Sequence, residues 1–140
     1  MKFLVCWLAL TMNTYMEAGN QGFDGMHRVA DVVHNRVEDP RFPDDVMGVL
    51  LQKNQFSWST VLKTRDEKGF LEYYKTLERG RLKHYGELEN FQTAGRVALM
   101  TLKPGYKPKY EYKFFYSGNI KPYWAQGKDI HKYKDHYFIK

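Results

Sequence analysis

The chain has 140 residues, 43% of them hydrophobic and 27% charged, with five prolines; this is enough to bury a core, too little for two ordinary domains, and unlike a disordered tail. One cysteine, Cys6, excludes an internal disulfide, and five histidines without zinc-type spacing imply no metal and no cofactor. The formal charge of +6 is uneven: residues 1–100 carry 13 Lys/Arg against 13 Asp/Glu, residues 101–140 carry 9 against 3, and those last forty also hold 11 of the 23 aromatic residues. Interleaved positive charge and flat rings suit an anionic polymer.

In chain order, the apolar run over residues 3–12 after Lys2 has the length of a secretory leader's hydrophobic region and falls short of a membrane span. The alternative is a buried first helix continuing to about Met16. That reading is favoured, because no polar break or small-residue cleavage site separates the run from Tyr15–Met26. Gly19, Asn20 and Gly22 end this helix, since both residue types tolerate the left-handed conformation of a C-terminal cap. Asp24 offers an N-cap for a second helix to about Val37, with Met26, Val29, Ala30, Val33 and Val37 on one apolar face. Glu38-Asp39-Pro40 stops it, and Arg41 to Asp44 reads as a turn with a fresh cap. A short helix from about Asp45 to Leu51 follows, with Val46, Val49 and Leu50 inward.

Residues 52–59, containing Gln55-Phe56-Ser57-Trp58, read as a loop that could wall a cleft. Helices are expected over Asp66–Arg79 (Phe70, Tyr73, Tyr74 and Leu77 inward) and Glu87–Leu102 (Leu88, Phe91, Val97, Ala98 and Leu102 inward). After Lys103-Pro104-Gly105 the texture turns β-favouring, with strands expected over Tyr110–Tyr116 and His136–Ile139. The segment between them, Ser117 to Gly127, is an exposed aromatic loop.

Several of these blocks, in this order, resemble a known family. They are Leu8-Ala9-Leu10 through Tyr15-Met16-Glu17-Ala18, Gly25, Val29-Ala30-Asp31-Val32-Val33-His34-Asn35-Arg36-Val37, Pro40-Arg41-Phe42-Pro43, Gly48-Val49, Gln55-Phe56-Ser57-Trp58, Pro122-Tyr123-Trp124-Ala125 and His136-Tyr137-Phe138. Together they are similar to the catalytic domain of SleB/CwlJ-type cell wall hydrolases. The resemblance implies an α+β, mainly α, lysozyme-like domain over residues 1–140 with a small C-terminal β element. It also implies action on peptidoglycan glycan strands, with Glu17 as catalytic acid. Members often read Glu-Ala-Arg-Gly-Glu-Pro where this chain has Glu17-Ala18-Gly19-Asn20-Gln21-Gly22, so the second acid is the amide Gln21. Where members often show His-Tyr, the chain has Phe115-Tyr116, which leaves Tyr116 as the polar survivor. Export signals and wall-binding repeats of bacterial members are not recognised here. This fits a single-domain bacteriophage endolysin, made in the host cytoplasm and passed to the wall by a separate partner.

The chemistry has its own logic. Glycosidic cleavage needs a carboxylic acid still protonated near neutral pH. Glu17 sits where a helix dipole's negative end and apolar neighbours both disfavour its charged form. A hydrolase would add a second carboxylate; Asp24 is the nearest and is better explained as a cap. The economical reading is a lytic transglycosylase with one glutamate serving as acid and then base. Ser57 and Tyr116 are candidates to hydrogen-bond sugar, and Trp58, Tyr123 and Trp124 to stack on it. Gln55, His136 and Asp24 are candidate supporting residues, while Asn35 and Arg36 are expected to brace the core side. A muramidase or glucosaminidase, and a non-catalytic basic module binding wall or single-stranded nucleic acid, remain as alternatives. The expected partner is an anionic wall, not nucleic acid, and the expected state is a monomer.

Overall fold

The computed structural model describes residues 2–52 and 55–140, so Lys53 and Asn54 of the expected 52–59 loop lie outside the described residues. Helix α1 (Lys2–Ala18) runs through the middle of the core: Ala9 to Tyr15 are seven consecutive buried residues, although Phe3 and Leu4 at its start are exposed. A helix buried on all sides over two turns belongs inside a bundle, and this one is packed against α2 (Gly22–Val37), α3 (Val46–Leu51), α4 (Glu67–Arg79) and α5 (Tyr85–Thr101). Among the described residues no helix is long and apolar enough to cross a membrane.

The turn into α2 differs from expectation. Gly22 alone among residues 19–22 takes a positive φ, +74°, a conformation that glycine adopts without steric cost. It is the first helical residue, and Gln21 precedes it as N-cap without a side-chain capping bond. Asp24 is therefore not the cap; it is an exposed acid in the first turn, where the helix dipole favours it. Gly25 has a packing reason, because a Cβ there would lie 2.5 Å from Gln21 Cβ.

Farther along, Asp45 rather than Asp44 caps α3, accepting from the Gly48 N–H at 2.6 Å, and Asp66 caps α4 by accepting from Gly69 at 2.9 Å. Leu88 of α5 is exposed rather than inward, whereas Phe91, Val97 and Ala98 are buried as expected. Residues Ser57–Val61 wind into a 3-10 turn instead of a loop. Trp58 of this turn and Phe56, the residue before it, are buried in the core with Phe70 and Phe138.

The sheet is antiparallel with order β1 (Phe114–Ser117), β3 (His136–Ile139), β2 (His131–Tyr133). Tyr116 pairs with Tyr137 and Ser117 with His136. Strand β1 begins four residues later than expected because the preceding backbone is bonded to α2 side chains instead of a strand. The Asn35 amide donates to the Tyr110 and Tyr112 carbonyls at 2.6 and 2.8 Å, and Arg36 Nε donates to the Lys113 carbonyl at 2.8 Å. One turn earlier, the buried carboxylate of Asp31 accepts from the Tyr106 hydroxyl at 2.5 Å and from the Lys109 and Tyr110 N–H groups at 2.8 and 3.0 Å. A single polar face of α2 thus feeds the chain into the sheet.

Candidate active site

Two attachments fix the end of α1. Tyr15 is buried edge-on against Phe91, its hydroxyl donates to the Glu87 carboxylate, and Arg81 pairs with Glu87 at 3.5 Å. Beyond it, Gln21 is 2% exposed and clamps the turn between β2 and β3. Its amide donates to Asp135 Oδ2 at 2.8 Å and accepts from the Asp135 N–H at 3.0 Å, while Lys134 Nζ donates to its carbonyl at 2.9 Å. Glu17 lies between these anchors and faces the sheet.

There Glu17, Arg36, Gln55, Ser57, Phe115, Tyr116 and Ser117 line a cavity of 230 Å³. Burial pushes the Glu17 carboxyl up to about 7, with the Arg36 guanidinium pulling it back. Arg36 is pushed down by burial to about 10, with Glu17 pulling the other way, and so it stays charged at neutral pH. Among the described residues no ion pair joins the two and no second carboxylate lines the cavity. The guanidinium is held instead by the Lys113 carbonyl, by Gln55 Oε1 at 3.4 Å and by the rings of Phe42, Phe56 and Phe114 at 5.0–5.5 Å. Such an arrangement can hold a proton on Glu17 near pH 7 and accommodate the carboxylate once the proton has left.

Of the residues expected at the site, Glu17, Gln55, Ser57 and Tyr116 come together in this cavity. Tyr116 is stacked on Tyr137 at 4.9 Å and meets Trp124 edge-on at 5.9 Å. Trp124, 41% exposed, lines an adjoining groove of 500 Å³ that shares Arg36, Gln55 and Phe115 with the cavity. Tyr123 is 87% exposed and lines neither space.

Trp58 has to be corrected: its ring is packed on Phe70 and Tyr73, and its indole N–H donates to Asn13 at 2.8 Å, so it cannot stack on a sugar. Asp24 stands exposed on α2 and outside the cavity lining. His136 lies buried behind the cavity, 5.3 Å from the Phe115 ring. Burial lowers its pKa, against the pull of the Glu17 backbone carbonyl and Asp135, so the ring is neutral at neutral pH. Arg36 was expected to brace the core; it does, and it also lines the cavity.

A helical body that presents an acid to a small antiparallel sheet is the lysozyme-like plan. Residues 20–139 match the family model described as Cell Wall Hydrolase, and the chain belongs to that family. The match begins three residues past Glu17. Among solved structures, the chain is similar to the catalytic domain of the germination-specific lytic transglycosylase SleB from Bacillus anthracis, with TM-score 0.61 and 19% identity over 97% of this chain and 94% of that one. It is also similar to the catalytic domain of Bacillus cereus SleB, with TM-score 0.59 and 18% identity over 98% of this chain and 91% of that one. No curated protein sequence matches.

Proposed function

We propose that the protein cleaves the glycan strands of peptidoglycan as a lytic transglycosylase, with Glu17 as its sole acid and base. The observation that carries this reading is the isolation of Glu17: its carboxyl is pushed up to about 7 and no other carboxylate among the described residues lines its cavity. Protonated Glu17 gives its proton to the glycosidic oxygen as the bond from the muramoyl C1 breaks. The resulting carboxylate, stabilised by the Arg36 charge, takes the proton of the muramoyl C6 hydroxyl. That oxygen closes on C1, giving a 1,6-anhydro ring and returning Glu17 to its starting state without water.

Ser57 and Tyr116 supply hydroxyls along the cavity, and Trp124 offers an exposed ring face at its edge. Tyr123 extends the platform farther out. Gln55 holds Arg36 through its amide oxygen, and His136 supports the wall from behind. The Bacillus anthracis SleB structure, a lytic transglycosylase domain by its description, supports the same chemistry. A bacteriophage lysis enzyme reaching the wall through a separate membrane partner is the finer reading. Its support is α1, where residues 9–12 of the apolar run that could pass for a leader are buried in the core, although Phe3 and Leu4 are exposed.

Mass spectrometry of digested peptidoglycan tests the mechanism. Anhydro-muramoyl ends are expected; reducing muramic acid or glucosamine ends would replace the transglycosylase with a muramidase or glucosaminidase. Glu17→Gln should lower turnover by at least about a hundredfold, the usual worth of a general acid, with the circular dichroism spectrum unchanged.

A further inference from the structure

The groove beside the Glu17 cavity has a charge pattern that cleaving an uncharged glycan bond does not need. Arg36, Arg41, Lys128 and Lys140 line it and, among the described residues, no Asp or Glu side chain does. Two of these cations have partners outside the lining: Arg41 is held by Asp39 at 2.7 Å, and Lys140 lies 3.4 Å from the exposed Glu111. Lys128 has no ion pair among the described residues, and its neighbour Asp129 is turned to His131 at 3.1 Å. Trp124 and Phe114, with ring centroids 6.1 Å apart, give the groove an apolar side. Because Arg36, Gln55 and Phe115 belong to both spaces, the groove adjoins the Glu17 cavity.

We infer that this groove is a subsite for the carboxylate-bearing peptide on the muramoyl residue whose bond is cleaved, with Lys128 and Lys140 as its specificity-determining cations. The inference rests on the peptidoglycan reading above and deepens it. Two anionic substituents occur on wall glycan, peptides on the C3 lactyl group and phosphate polymers on the C6 hydroxyl. Ring closure consumes the C6 oxygen of the reacting residue, so that oxygen cannot also carry a phosphate polymer. The peptide is then the anion this residue can present.

The test measures binding with turnover blocked by Glu17→Gln. Three matched soluble glycan fragments serve as probes: one bearing peptides, one stripped of them, and one whose peptide carboxylates have been amidated. Calorimetry should show the peptide-bearing fragment bound about fivefold to tenfold more tightly than the other two, the sum expected of two or three exposed ion pairs. The preference should shrink toward unity in high salt. Adding Lys128→Gln and Lys140→Gln, both exposed positions, should remove it while the melting temperature stays the same. Equal affinity for all three fragments, or a preference that survives the double substitution, overturns the subsite and leaves the cleavage reading standing if the natural chain still cuts glycan. Failure to bind any fragment together with failure to cut overturns both.

Discussion

Burial at Glu17 has two consequences of opposite sign. The acid step needs the protonated form, so the rate on soluble glycan should fall as pH rises through about 7, the value to which burial pushes this carboxyl. A stopped assay across pH 5–9 would check this, and a rate that climbs to pH 9 would remove Glu17 as the acid. The same shift costs stability. The folded chain holds the Glu17 proton more tightly than the unfolded chain, whose carboxyl has its ordinary value of 4.5, so stability falls as pH rises from there to about 7. Glu17→Gln never ionises. It should therefore be more stable than the natural chain at pH 8 by roughly 1–3 kcal/mol and equal to it at pH 4, as read by urea denaturation. The place of Glu17 at a helix end beside apolar neighbours was legible in the sequence because these are local features, whereas its choice as the acid rested on the family resemblance. Trp58 was not legible, since whether a loop aromatic turns inward depends on Asn13 and Phe70, which approach it only in the fold.

At the scale of elements, the polar face of α2 does what a fourth strand would otherwise do. Asp31, Asn35 and Arg36 occupy the backbone of residues 109–113, and this sets where Phe115 to Ser117 reach the cavity. Asp31→Ala would strand the Lys109 and Tyr110 N–H groups and leave the Tyr106 hydroxyl with His27 Nε2 as its partner. A loss of about 2–4 kcal/mol in the denaturation midpoint experiment is expected, and an unchanged midpoint would mean that the segment is held by other contacts. Gln21 belongs to the same logic. Family members with an acid at this place invite the reverse substitution, yet here the amide donates to Asp135 and lies outside the cavity lining. Gln21→Glu should lose about 1–2 kcal/mol at pH 8, recover part of it at pH 4 where the acid is protonated, and gain no turnover. The helices and β3 were readable from periodicity and composition. Strand β2, His-Lys-Tyr, was missed because three residues with a lysine in the middle carry no strand signal of their own; β3 and the turn at Lys134 impose it.

For the whole molecule, the positive excess in the last forty residues was plain from counting, while its relation to the catalytic cavity was not. The fold brings Lys128 and Lys140 from that segment beside Arg36 and Arg41 from the helical half, so the charge borders the cleft. Salt should therefore act on docking more than on chemistry. Between about 0.01 and 0.15 M ionic strength the screening length drops from about 30 to about 8 Å, which cuts the attraction between exposed lysines and an anionic wall. Glu17 and Arg36, half-buried and buried at the cavity, should feel less of that change than the exposed lysines. Clearing of a wall suspension is then expected to slow by about tenfold over this range, the scale of steered association, with kcat on a saturating short soluble fragment held within about twofold. Both rates are measurable on one preparation. A parallel fall would place the salt-sensitive step in the cavity and make Arg36, rather than the surface lysines, the group that ions reach.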